Sequence, residues 1–328
     1  MVGAGGFGVD LFFVLSSYLI TELLIREYNH YGKVDVRSFY IRRALRIWPL
    51  YFFFLSASVL LIPYIIPGDK LELNYLLLFI LFAGNWGCAA YGFPNSVAAP
   101  LWSISLEEQF YLTWPVLISL LGVRRIKQMA ITMLVIANVT RLILAFSNPS
   151  DVSIWCNTFV RLDPIACGAL LSWILRGRVP AMKSAGRIFL FSLGLFIWFL
   201  VANFTKATGL TILINYPAVT CGSLLMLISV LRMNGQRWLR FPYLIYLGRI
   251  SYGLYVYHMF SIAFVARFVA GTLARAPISL CLTIIISAIS YRWIEQPFLR
   301  IKERFTYVKS RPTSARVGSP LSPNSEVA

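Results

Sequence analysis

Gly8-Val9-Asp10-Leu11-Phe12-Phe13-Val14-Leu15-Ser16-Ser17-Tyr18-Leu19-Ile20 is an apolar stretch with one carboxylate near its start. A basic run of Arg37, Arg42, Arg43 and Arg46 follows it and is closed by Trp48-Pro49. An apolar span beside a tight arginine cluster reads as a membrane helix with a phosphate-sized anion site at its inner face. The rest of the 328-residue chain fits that reading, being 58% hydrophobic and only 13% charged, with a mean hydropathy of +0.71. A soluble domain has roughly 45–50% apolar residues and about a quarter charged.

The apolar runs recur at roughly the 18–25 residues that cross about 30 Å of hydrocarbon. They do not alternate in polarity, which excludes a membrane barrel. The expected fold is therefore all-α, a polytopic membrane helix bundle. Its spans are expected near 8–25, 47–66, 101–122, 127–147, 154–175, 186–203, 208–231, 243–270 and 277–296. The run at 73–88 is shorter, about 24 Å as a helix.

That short run decides the topology. As a full crossing it would put Arg124, Arg125 and Lys127 on the side opposite Arg42–Arg46. As a re-entrant or interfacial segment it gathers these with Arg176, Arg178, Lys183, Arg187, Arg232, Arg237, Arg240 and the basic tail on one side. The other side then holds only Asp69, Lys70, Glu72, Asp151, Lys206 and Arg275. The second arrangement obeys the bias of Lys and Arg toward the cytoplasm. It predicts about nine spans plus one re-entrant or interfacial segment in the inner (plasma) membrane, with Met1 outside and Ala328 cytoplasmic. Residues 1–308 read as one transmembrane domain. Residues 309–328 read as a disordered, Ser/Pro-rich basic tail that can touch lipid headgroups through Arg311 and Arg316. Met1-Val2-Gly3-Ala4-Gly5-Gly6 has neither the basic region nor the cleavage site of a signal peptide and reads as a loop between two helices.

The net charge of +17 could suggest nucleic acid. Most of the Lys and Arg fall between apolar runs, so the expected partner is the bilayer and not nucleic acid. The five cysteines are scattered without a CxxC pair and there are two histidines, so no metal site is expected.

Ionisable groups inside spans are costly and mark function by default. On this topology Asp10, Glu107, Glu108, Arg161 and Asp163 form an outer layer, with Glu107 and Glu108 at the level of Asp10. Arg42, Arg43, Arg46, Arg249, Arg292 and Glu295 form an inner layer. Arg42 and Arg46 share a helix face, and Arg43 lies three residues from Arg46. Three converging guanidiniums suit a donor with several phosphates, such as coenzyme A, and equally suit lipid headgroups. In Leu101-Trp102-Ser103-Ile104-Ser105-Leu106-Glu107-Glu108, Ser105 and Glu108 have capping-box spacing. A second glutamate is more than a cap needs and could meet sugar hydroxyls or orient a histidine. Arg161 and Asp163 sit some seven to nine residues into their span and each needs a partner, Arg161 from Asp10 or a Glu107/Glu108 carboxylate, as an ion pair or as part of a site. His258, on a face with Tyr252 and Tyr255, is expected near mid-membrane, either as a hydrogen-bonded packing residue or as a base. Tyr291 and Glu295 share a face before Pro297 and read as a helix-end lock.

Six stretches in order across the chain resemble the acyltransferase 3 family: GVDLFFVLSSYLIT from Gly8, FYIRRALRIWPLY from Phe39, LWSISLEEQFYLTWP from Leu101, RLDPIACGALL from Arg161, LGRISYGLYVYH from Leu247 and YRWIEQPF from Tyr291. The resemblance implies an integral-membrane O-acyltransferase of about ten helices. It implies a cytosolic acyl-CoA, most often acetyl-CoA, as co-substrate, with no permanently bound cofactor. The acceptor is a sugar hydroxyl of a cell-surface or lipid-linked glycan. Arg42, Arg43 and Arg46 match the family's basic motif, and Asp10, Glu107, Glu108, Arg161 and Asp163 are the expected acceptor-side residues. The family has Gly where this chain has Ser17. The family's first helix carries an arginine and, about ten residues on, the histidine assigned to catalysis. This sequence opens after that point, and His30 lies in a basic inner loop. The catalytic residue is thus unassigned, with Glu108 and His258 as weak candidates. The alternative is a truncated or inactive homologue that binds or moves a lipid-linked glycan without chemistry.

Overall fold

Helix α1 (Gly8–Tyr31) carries the opening apolar stretch and ends at Gly32, whose φ of 71° makes the left-handed turn a Cβ would oppose. Three residues later α2 (Val36–Leu60) begins, capped by Asp35. The arginine cluster therefore lies inside this helix and not ahead of a span starting at 47. The computed structural model describes residues 4–147, 149–179, 181–204, 209–231 and 241–305. The 309–328 tail, Met1, Ala328, Lys206, Arg232, Arg237 and Arg240 lie outside the described residues.

The described chain continues through α3 (Ile62–Ile65), α4 (Leu73–Ile80), α5 (Gly84–Tyr91), α6 (Leu101–Leu121), α7 (Ile126–Ser147), α8 (Asp151–Cys156) and α9 (Leu162–Leu175). It then forms α10 (Ser184–Phe204), α11 (Ile212–Val230), α12 (Pro242–Phe268), α13 (Thr272–Ser290), a π-turn (Tyr291–Glu295) and α14 (Gln296–Glu303). Helices α1, α2, α6, α7, α10, α11, α12 and α13 have 19–27 residues. Among the described residues five segments are long and apolar enough to cross a membrane by length and composition alone: Gly8–Tyr31, Val123–Ser147, Ser184–Phe204, Gly209–Val230 and Leu273–Glu303. The chain is an all-α membrane bundle.

The 73–88 run is broken into α4 and α5, each of 8 residues and each too short to cross at 1.5 Å per residue. Its two ends meet. Lys70 N–H donates to Asn95 O at 2.9 Å, Ser96 Oγ to Asp69 Oδ1 at 2.8 Å, and Val97 N–H to Asp69 Oδ2 at 2.6 Å. A single crossing would hold residues 69 and 97 a bilayer apart, so the segment returns to the side it left. Asn85, Gln109 and Thr158 lock it in place: Gln109 Nε2 donates to Asn85 Oδ1 and Thr158 Oγ1 to Gln109 Oε1, both at 2.8 Å.

Cross-helix pairs set the directions. Tyr51 with Ser105, Trp48 with Glu108 and Tyr40 with Leu112 run α2 antiparallel to α6. Asp10 with Arg161 and Glu22 with Ser172 run α1 parallel to α9. Arg37–Arg46, Arg124/Arg125/Lys127 and Arg176/Arg178 thus share one end of the bundle, called here the basic end. The α1–α9 crossing is close because Gly168 has no side chain: a Cβ there would lie 2.0 Å from Ser17 Oγ and 2.2 Å from Val14 O. Ser17 tucks its hydroxyl back onto Val14 O at 3.1 Å, so a serine fits opposite that glycine.

Two expected elements differ. The 154–175 span is split: α8 stops at Cys156, and α9, with 14 residues, starts at Leu162. Asn157 makes the break, its Oδ1 accepting from Phe159 N–H at 2.9 Å, and Pro164 fits the first turn of α9, where its missing N–H costs nothing. The helix-end lock before Pro297 is a π-turn instead. Gln296 N–H bonds back to Tyr291 O, five residues away, and Pro297 enters α14 near its start.

Candidate functional site

Four oppositely charged side chains sit where α1, α7, α9 and α11 meet. Arg161 Nη2 donates to Asp10 Oδ2 at 2.8 Å, and Arg141 Nη1 to Asp163 Oδ2 at 2.9 Å. Thr220 Oγ1 adds a bond to Asp163 at 3.0 Å. Arg141 and Arg161 are 0% and 1% exposed. Aromatic rings cover their remaining faces, with the Arg161 guanidinium 4.3 Å from the Trp155 ring centroid and the Arg141 guanidinium 5.8 Å from that of Tyr216. The expected Arg161 partner is therefore Asp10. Arg161 is not deep in a span: it precedes the first residue of α9, and Asp163 lies in the first turn. Arg141 was missed, although a lone arginine within the apolar run 127–147 is the signal that finds it.

Glu107 and Glu108 are not at the level of Asp10, nor do they start a helix. Helix α6 begins at Leu101, behind Pro100, because the proline ring presets a helical φ of −59°. Ser105 is then internal, and its hydroxyl returns to Leu101 O at 3.2 Å, so no capping box forms. Six to seven residues in, Glu107 accepts from Tyr111 Oη at 2.6 Å, and Tyr111 Oη also meets Ser16 Oγ at 2.6 Å. Glu108 Oε2 accepts from Trp48 Nε1 at 3.2 Å. Its buried Oε1 has no hydrogen-bond partner among the described residues. The cation within electrostatic reach of both glutamates is Arg43, which lies 5.0 Å over the Tyr111 ring.

The three arginines of α2 divide. Arg42 is tied down, donating to Glu27 Oε2 at 3.1 Å and to Phe305 O at 2.9 Å, which docks the end of α14 on α2. Arg43 lies between the Phe39 and Tyr111 rings. Arg46 is exposed. Neither Arg43 nor Arg46 makes a salt bridge with a carboxylate among the described residues. Glu295, brought toward Arg46 by the π-turn, leaves its buried Oε1 without a partner among them.

At the opposite end a cavity of about 980 Å³ opens between the Ile66–Asp69 and Phe93–Val97 loops and the end halves of α6 and α12. His258 lines it from the half of α12 nearer Phe268. Its Nδ1 is 2.5 Å from Tyr255 O. Tyr255 Oη reaches Ser103 Oγ at 2.5 Å and Pro100 O at 3.0 Å, and Tyr252 Oη donates to Ile47 O at 3.0 Å.

The acyltransferase 3 family model, described as an acyltransferase domain, matches residues 1–292. The SACOL0978 protein of Staphylococcus aureus strain COL is 29% identical over 344 residues, which covers 94% of this chain and 55% of that protein. O-acetyltransferase OatA of Staphylococcus aureus strain NCTC 8325 is 28% identical over 330 residues, 90% of this chain and 53% of its own length. This chain thus spans about half the length of the curated relatives it matches. No solved structure matches it. With the family model matching from Met1 into the π-turn, the chain belongs to the acyltransferase 3 family.

Proposed function

We propose that this chain is the membrane-embedded part of an O-acetyltransferase. It takes an acetyl group from acetyl-CoA at its basic end and passes it to a sugar hydroxyl of a cell-surface or lipid-linked glycan at the opposite end. The pantetheine arm carries the thioester inward from the arginines to meet the acceptor; there the hydroxyl oxygen forms the new ester bond as the thioester C–S bond breaks, and the hydroxyl proton leaves with the coenzyme A thiol. The basic end faces the cytoplasm of a plasma membrane, in keeping with the bias of Lys and Arg.

One observation carries this reading: among the described residues Arg43 and Arg46 make no salt bridge, whereas Arg42 on the same helix is held by Glu27 at 3.1 Å, and Arg141 and Arg161 are held by Asp163 and Asp10. An unpaired guanidinium at a membrane end suits phosphate oxygens, which it meets through a planar fork of donors. Arg43 then leads inward to Tyr111, Glu107 and Glu108. The relatives' names supply the acetyl group and the ester oxygen; the donor and the glycan are the proposal's own.

The test is calorimetric titration of acetyl-CoA into the protein in nanodiscs, with transfer of labelled acetyl to extracted surface glycan as second readout. Saturable binding that falls when coenzyme A lacks its 3′-phosphate supports the reading. Absence of acetyl-CoA binding by folded protein overturns it.

A further inference from the structure

The cavity at the end opposite the arginines has a lining unlike the rest of that surface. Four aromatic side chains border it, Phe93, Trp102, Trp155 and Tyr255, and among the described residues no Lys or Arg lines it. Its one carboxylate, Asp69, has both oxygens engaged, by Ser96 Oγ and by Val97 N–H, so it braces the mouth and offers nothing to a ligand. Tyr255 Oη is likewise tied to Ser103 and Pro100. The ring borders the space while its hydroxyl does not.

Two polar side chains are left: Asn95 at the exposed rim, whose Nδ2 alone is engaged, by Gly68 O at 3.0 Å, and His258 on the α12 wall. A carbonyl oxygen can only accept, so the 2.5 Å contact from Nδ1 to Tyr255 O places the proton on Nδ1. In the neutral ring Nε2 is then a hydrogen-bond acceptor. No described residue bonds Nε2. Aromatic walls with hydrogen-bond acceptors, one braced carboxylate and no cation among the described residues fit an uncharged polyhydroxylated ring, whose C–H faces lie on indole and phenol planes while a hydroxyl donates to the imidazole. A volume of about 980 Å³ is at the upper end for small-ligand sites, about 300–1,000 Å³, and holds two or three such rings.

We infer that this cavity is the acceptor site: it seats the terminal sugar of an uncharged glycan, with Trp102 and Tyr255 as stacking walls and His258 Nε2 accepting a sugar hydroxyl. This rests on the acetyltransferase reading and assigns its acceptor side to residues other than the Asp10/Arg161 and Arg141/Asp163 pairs, whose charges are spent on one another.

The probes are neutral β-linked disaccharides, one of N-acetylhexosamine and one of hexose, with a sialylated disaccharide as the charged comparison. Binding is read from tryptophan fluorescence of the whole protein in nanodiscs, and acetyl-CoA binding is read on the same samples. The expected result is saturable quenching by at least one neutral disaccharide and none by the sialylated one. His258→Phe weakens that binding about tenfold or more, and His258→Gln, which keeps an acceptor, restores part of it. Ala263→Phe, which fills the cavity from the α12 wall, abolishes it. Variants that still bind acetyl-CoA count as folded. If neither neutral disaccharide binds while acetyl-CoA does, the cavity assignment fails and the donor reading stands. If sugars bind equally well to His258→Phe and Ala263→Phe, the cavity is not their site. If acetyl-CoA fails to bind folded protein, it is the function that is wrong.

Discussion

Two sets of charged side chains sit at different depths of this bundle, and they differ in closure. Around Arg161 each charge has an opposite charge within 2.9 Å, and the guanidiniums lie on aromatic rings. Around Arg43 and Arg46 no such pairing exists among the described residues; the pairing alone separates the sets, because Asp10 Oδ1 and Asp163 Oδ1 lack a hydrogen-bond partner as Glu108 Oε1 and Glu295 Oε1 do. The sets look alike in sequence, as arginines and carboxylates within apolar runs. The difference teaches that buried charge alone does not mark chemistry: the closed set joins four helices, and the open set waits for a ligand.

The comparison breaks first where the closed set is opened. Arg161→Met leaves Asp10 buried without its cation, and removing one partner of a buried pair costs about 3–5 kcal/mol. The thermal midpoint in detergent should fall sharply, and pairing the change with Asp10→Leu should recover most of the loss. An unchanged midpoint for the single variant would put this set among the open ones.

The open set should respond in binding and not in stability. Arg46→Gln is expected to weaken acetyl-CoA binding by about 1.5–3 kcal/mol, the range for a hydrogen bond to a charged group, with an unchanged thermal midpoint. Arg42→Gln should do the reverse, because Arg42 is held by Glu27 and Phe305. Calorimetry and thermal unfolding on the same two variants separate these outcomes.

Glu108→Gln sharpens the contrast further. It keeps the Trp48 hydrogen bond and removes a charge from beside Arg43. Acetyl transfer should drop about a hundredfold, the low end of the range for groups acting on proton transfer, while stability stays level. Normal transfer would leave Glu108 a packing residue.

The smallest effect belongs to the turn that seats the open set. Asp35, outside the spans, caps α2, and the Ser38 hydroxyl and N–H hold its carboxyl below the usual carboxylate range. A lowered folded pKa means that the ionised form stabilises the fold above the unfolded value of about 3.9, and that this is lost as pH falls through the folded value. Asp35→Ala should cost about 0.5–2 kcal/mol at neutral pH. Thermal scans from pH 7 to 3 should show the gap to the parent protein shrinking only at the acid end.

Much of this was legible in the residues. Apolar run lengths placed the long helices, and the uneven spread of Lys and Arg identified the 73–88 segment as one that turns back, which the Asp69 contacts bear out. The break after Cys156 was hidden because it falls within an apolar run, and an Asn side chain turned onto its own backbone changes neither hydropathy nor length. The level of Glu107 and Glu108 was misplaced because Ser105-x-x-Glu108 mimics a capping box, while Pro100 starts the helix a full turn earlier. The separation of Arg42 from Arg43 and Arg46 depends on Glu27 and Phe305, 15 and 263 residues away along the chain, and no local pattern carries such a pairing.

The Asp10–Arg161 pair also has a consequence in time. Its members are 151 residues apart, and a ribosome adding about 5–20 residues per second takes roughly 8–30 s to make that length. Throughout that interval α1 carries Asp10 without Arg161 to pair with it, and for part of it α7 carries Arg141 without Asp163. Helix α9, with 14 residues, is too short to partition into lipid by itself. It brings Arg161 and Asp163 together, so one short late segment neutralises both waiting charges and is recruited by them. Assembly of this half of the bundle therefore has a fixed order, in which the helix least able to insert alone is the one that completes it.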